Sequence, residues 1–125
     1  MSVRYLLDTN IVIFALRTRA EALRARFAAA TDQMAVSTIT VAELAYGVER
    51  SSRPDQNRCA VEEFLALLEV MPLDASAAEH AGRIRAELAI TGTPIGAYDA
   101  LIAGQARSRG LVVVTNNTRE FARVP

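Results

Sequence analysis

AYDALIAGQARSRGLVVVT, residues 97–115, decides how this chain is put together. Residues 97–109 read as a helix, Gly110 closes it, and residues 111–115 form the clearest buried strand in the sequence. A helix delivered directly into an apolar strand is the closing half of a strand–helix–strand crossover. The same grammar recurs upstream. Residues 3–7 read as a buried strand, and Asp8 to Asn10 supply capping chemistry for a helix over residues 11–16. Residues 20–30 read as a second helix and residues 34–37 as a short strand. Thr40 opens a helix to about residue 50, which residues 51–54 break. Residues 56–69 put Val61, Phe64, Leu65 and Leu68 on one helical face, and Pro72 assigns the strand at 70–73 to an edge. Ser76 with Glu79 has the capping-box pattern for a helix to about residue 90, ended by Gly92. A loop over residues 92–96 leads back to the opening segment, and residues 116–121 follow it as a turn or short helix.

Strands separated by helices require parallel pairing through right-handed crossovers. The expected fold is therefore three-layer α/β, a central parallel sheet flanked by helices. At 125 residues the sequence fits a single domain over residues 1–125. No internal repeat or low-complexity tract interrupts it.

Composition narrows the chemistry. Hydrophobic residues at 51% and charged residues at 22% describe a compact soluble protein, and no apolar run approaches the length that spans a bilayer. A cytoplasmic location is expected, and the single Cys59 fits a reducing compartment. Net charge is zero, so attraction to nucleic acid must come from local patches, of which Arg17, Arg19, Arg24 and Arg26 form the most basic. All 14 basic residues are arginine. Without lysine there is no P-loop, no Schiff-base chemistry and no receiver-type phosphoaspartate site. With His80 alone, a ribonuclease mechanism built on a histidine pair is excluded.

Acidic residues stand near helix starts at Asp8 in YLLDTN, Glu43 in ITVAEL, Asp99 in GAYDALIAG and Glu120 in VTNNTREF. Each has a structural explanation: Asp8 as an N-cap, Thr40 with Glu43 as a capping box, Asn117 with Glu120 as a looser one, and Asp99 as a first-turn partner of the helix dipole. Together they have another. Asp8, Glu43 and Glu120 follow three strands, and the carboxyl ends of strands are where open α/β sheets bind ligands. Asp99 begins the helix before the last strand and can point toward the same edge. Carboxylates gathered there repel one another unless a hard cation such as magnesium or manganese neutralises them. Thr9 with Asn10 and Thr115 with Asn116 flank the acids and are candidates to orient them, or are ordinary turn residues.

YLLDTN, the AEL of ITVAELAYG, and above all PIGAYDALIAGQARSRGLVVVTNNTREFARVP closely resemble the PIN-domain ribonucleases that act as VapC toxins of type II toxin–antitoxin systems. The likeness spans essentially the whole sequence. It implies a magnesium-dependent endoribonuclease, with manganese able to substitute, whose catalytic acids are Asp8, Glu43, Asp99 and Glu120 and whose metal ligands are Asp8 and Asp99. It further implies transfer or ribosomal RNA as substrate, a VapB-like antitoxin covering the acidic cleft, and homodimerisation. Two departures stand out. Many PIN domains have an aspartate where this chain has Asn117, so Glu120 is expected to serve instead, and relatives commonly continue past RVP with a short strand and a tryptophan. The alternative to an enzyme is a catalytically weak or inactive PIN-like module that binds antitoxin or RNA.

Overall fold

A computed structural model describes the backbone of residues 3–18 and 21–125, and their side chains apart from those of residues 18 and 21–24. Four strands form one sheet in the order β3-β2-β1-β4, with β1 Tyr5–Leu7, β2 Met34–Ser37, β3 Glu69–Met71 and β4 Val112–Val114. Every neighbouring pair is parallel, Leu7 standing between Val36 and Val114. The connections carry α1 Thr9–Thr18, α2 Glu21–Ala30, α3 Thr38–Arg50, α4 Pro54–Leu65, α5 Ala75–Thr91 and α6 Ala97–Arg109, and α7 Thr118–Phe121 follows β4.

Strand alternation sorts the core into layers. Leu7, Met34 and Val36 pack with Ile11, Val12 and Leu44 on one face, backed by Phe27 and Phe64. Leu6, Ala35 and Met71 pack on the other against Ile102 and Ala106 of α6. Helix α5 lies outside α6, joined through Ile84, Leu88 and Ala103. That seam is unusually close at Gly104. A Cβ there would stand 2.5 Å from the Ala81 amide nitrogen and 2.8 Å from the Ala77 carbonyl oxygen. Gln105, next along α6, is fully buried and donates to the Met71 carbonyl at 2.9 Å, tying the helix to the edge strand.

Three local expectations are corrected. Helix α5 begins at Ala75 because Asp74 caps it, accepting from the Ala77 amide at 2.9 Å, so Ser76 and Glu79 form no capping box. The helix expected over residues 56–69 runs instead from Pro54 to Leu65, since Pro54 suits its first turn and the chain must turn into β3. The strand read as most buried is an edge strand, with Val112 56% exposed, because its apolar run reflects one covered face rather than a central position. Of the basic segment, Arg17 and Arg26 are exposed, while the Arg19 and Arg24 side chains and the expected helix start at Ala20 lie outside the described residues.

Candidate active site

The chain leaves β1 toward β2 and β3 on one side and returns to place β4 on the other. Such a reversal opens a crevice beyond the carboxyl ends of β1 and β4. Asp8, the residue after β1, lies there fully buried. Its Oδ1 accepts from the Ile11 amide at 2.8 Å, and its Oδ2 accepts from the Thr115 hydroxyl at 2.6 Å. Asp8 therefore caps α1 and faces the crevice at once; the two readings of this residue are compatible.

Glu43 lies in α3, beyond the first turn, and its Oε1 accepts from Thr9 Oγ1 at 2.7 Å. The capping-box reading of Thr40 with Glu43 fails, because Ser37 is the N-cap and accepts from the Ile39 amide at 3.0 Å. Thr40 is instead fully buried inside the helix, its hydroxyl 3.0 Å from that of Thr9.

Asp99 enters from the first turn of α6 and Glu120 from α7, and their carboxyls hydrogen-bond to each other. The Gly96 amide and Asn117 Nδ2, the latter at 3.2 Å, also donate to Glu120. Asn117 thus caps no helix amide with its side chain; it holds an acid. Burial, the Glu120 bond, and the charges of Glu120, Asp8 and Glu43 push Asp99 up to about 7. Glu120 is held below the usual range, first by the bond from Asp99 and further by Asn117 and the Arg123 charge. The other three acids all act on Asp99, which is the measure of their convergence.

Of the flanking polar residues, Thr9 and Thr115 bond directly to acids and Asn10 lines the cleft. Asn116 is exposed, and among the described residues no hydrogen bond joins it to an acid. Sequence reading missed four contributors: Thr40, Asn117 as a donor, the Gly96 amide, and Arg123, which also donates to the Pro94 carbonyl at 2.9 Å. The T-x-x-E spacing was visible but pointed to a cap. Arg123 stands three residues after Glu120, a local spacing that was visible but not used, while its other partner, Pro94, is distant in sequence.

The cleft itself measures about 320 Å³, with Thr9, Asn10, Glu43, Gly96, Tyr98 and Asp99 among its lining. A larger cavity of about 510 Å³ lies between α1, α2 and α4, lined mainly by apolar side chains such as Leu16, Phe27 and Phe64, and holds none of the four acids. Among the described residues, no three carboxylate, histidine or thiol side chains close into a coordination shell. The donor chemistry nonetheless fits a hard divalent cation: the carboxylates at the cleft are oxygen donors, and a neutralising charge would offset the burial and repulsion that raise Asp99.

Comparison with known proteins accords with this geometry. The PIN domain pattern matches residues 5–125. The tRNA(fMet)-specific endonuclease VapC of Salmonella typhimurium (strain LT2) is 53% identical over 123 residues, covering 98% of this chain and 93% of the relative. Ribonuclease VapC2 of Haemophilus influenzae (strain Rd) is 46% identical, covering 98% and 92%. The crystal structure of DNA-bound VapBC from Salmonella typhimurium superposes with a TM-score of 0.95 at 53% identity, covering 98% of this chain and 93% of that one. VapBC2 from Rickettsia felis, bound to a promoter DNA fragment, gives 0.92 at 35%, covering 100% and 94%. The chain belongs to the PIN-domain family. Its relatives place it among the VapC toxins of toxin–antitoxin systems, which are ribonucleases, and PIN-domain nucleases generally depend on a divalent metal.

Proposed function

We propose that this chain, a single domain over residues 1–125, hydrolyses a phosphodiester bond in an unpaired stretch of transfer RNA, with magnesium as the metal and Asp8 and Asp99 as its ligands. The observation that carries this reading is the convergence of Asp8, Glu43 and Glu120 around Asp99, which burial first and then these three acids push up to about 7. When bound, the ion supplies charge neutralisation for the phosphate and a more acidic water.

The protein's own groups do the rest. Asp8 is fixed by two donors from different elements, so its carboxylate keeps one orientation. Glu43 and Glu120, each held by a side-chain donor, remain to orient the attacking water and take its proton. Tyr98, 58% exposed on the cleft wall, offers a face on which an unpaired base can stack. The relatives named for tRNA(fMet) at 53% and 48% identity support an initiator transfer RNA as the substrate. The partners in this reading are a VapB-like antitoxin and a second copy of the chain. Exposed apolar side chains, Ile90 at 85% and Tyr46 at 66%, support an assembling protein. No described helix is long and apolar enough to cross a membrane, and the proposed site of action is the cytoplasm.

The Asn117–Glu120 bond favours the enzyme over a binding-only module, since Asn117 keeps an acid against Asp99 rather than leaving a gap. Incubating the purified protein with initiator transfer RNA and magnesium tests the whole reading. Cleavage is expected to leave a 5′-phosphate and a 3′-hydroxyl and to stop with EDTA. A 2′,3′-cyclic phosphate, or cleavage that survives EDTA, would overturn it.

A further inference from the structure

Two buried hydroxyls stand behind Glu43 and can be oriented by proton counting. Thr9 Oγ1 lies 2.7 Å from Glu43 Oε1 and 3.0 Å from Thr40 Oγ1. A hydroxyl has one proton to give. Thr9 spends its proton on the carboxylate, which can only accept, so the Thr40 hydroxyl must be the donor in the second contact. The result is a directed chain, Thr40 to Thr9 to Glu43, running from the interior to the cleft. Thr9 is 5% exposed and Thr40 fully buried, so bulk water has little access to the contact between the two hydroxyls. Thr9 belongs to α1 and Thr40 to α3, and the chain therefore also fixes the spacing of the helices that follow β1 and β2. Helix formation does not need Thr40, because Ser37 already caps α3.

We infer that Thr40 is a positioning residue for catalysis: by donating to Thr9 it keeps the Thr9 proton aimed at Glu43 and the Glu43 carboxylate aimed into the cleft. This rests on the ribonuclease reading of the site. Without the Thr40 hydroxyl, Thr9 keeps its proton but loses the partner that fixes its rotation, and Glu43 loses a fixed orientation. Removing an orienting partner of this kind typically lowers activity about 10- to 100-fold.

The test compares Thr40→Val, which removes the hydroxyl at constant shape, with Thr40→Ser, which keeps it, on initiator transfer RNA with magnesium. Thr40→Val is expected to lower kcat roughly tenfold or more with KM little changed, and Thr40→Ser to restore most of the loss. Combined with Glu43→Gln, Thr40→Val should add almost nothing, since it acts through Glu43. Melting curves and circular dichroism of each variant establish that the fold is kept; should Thr40→Val not fold, Thr9→Val carries the same comparison against Glu43→Gln. Full activity in Thr40→Val, equal loss in Thr40→Ser, or a loss that multiplies fully with that of Glu43→Gln would overturn the assignment. Absence of cleavage by the unmutated chain would instead strike the ribonuclease reading itself.

Discussion

The carboxylate cleft and the α5–α6 seam share one helix and are built on opposite principles. In the cleft, four acids are held together against their own repulsion by donors from Thr9, Thr115, Asn117 and the Ile11 and Gly96 amides. At the seam, small neutral residues let two backbones meet, with Gly104 against Ala77 and Ala81. Helix α6 carries Asp99 at one end and Gly104 in its middle. The difference teaches that the destabilising region is held in place by the stabilising one: packing at the seam fixes where the Asp99 carboxyl can be.

Breaking the cleft should cost activity, and breaking the seam should cost the fold. The largest effect is expected for Asp8→Asn, which keeps shape but removes the charge between Ile11 and Thr115. RNA cleavage should fall roughly 10²- to 10³-fold, about 3–4 kcal/mol of transition-state stabilisation, measured as kcat/KM. Retained activity would remove Asp8 from the catalytic set. Next comes Gly104→Ala. Its Cβ would meet backbone atoms that cannot rotate away, so the helices must part, at about 2–3 kcal/mol read from urea unfolding. An unchanged urea midpoint would show that the seam is looser than its distances indicate.

Asp99→Asn should separate the two regions most clearly. The folded-state pKa near 7 lies above the ordinary aspartate value, so the folded protein holds a proton that the unfolded chain has lost between about pH 4 and 7. The contribution of this group is fully present below about pH 4 and is lost as pH rises through 7 in metal-free protein. Removing the charge should therefore stabilise the metal-free fold above pH 7 while lowering cleavage by less than Asp8→Asn does. Partial exposure and the compensating shift at Glu120 keep the gain to about 1 kcal/mol, and it should vanish near pH 4. Thermal melts across that pH range, with EDTA present, check it; a destabilised variant at pH 8 would contradict the repulsion account. The smallest effect is expected at the seam's edge. Asp74 caps α5 and reaches Arg109 at the end of α6, so Asp74→Ala should lower the melting temperature slightly and leave RNA cleavage unchanged.

Much of the fold was legible because its signals are local. Met34–Ser37 and Ala97–Arg109 were bounded correctly by apolar patterning and by Gly110, whose φ of +66° suits a residue without a side chain. Pro72 marked the edge next to β3. Capping was less legible, because several residues before each helix can cap and only tertiary geometry chooses among them. Ser37 was chosen over Thr40, and Asp74 over Ser76. The exposure of β4 was also hidden, since an apolar triplet has the same sequence in a central strand as in an edge strand covered on one face.

The sequence by itself determined the alternation of strands and helices and the four acids in their order along the chain. These depend on residue type and short-range spacing, which folding does not change. Tertiary structure decided the roles. It placed β4 beside β1, so that Thr115 could bond Asp8, and it turned Asn117 toward Glu120 rather than toward a helix amide. It also buried Thr40 behind Thr9, where a hydroxyl that looked like a cap aims an acid instead. Each of these depends on which of several possible partners lies within about 3 Å, a distance set by how the layers pack.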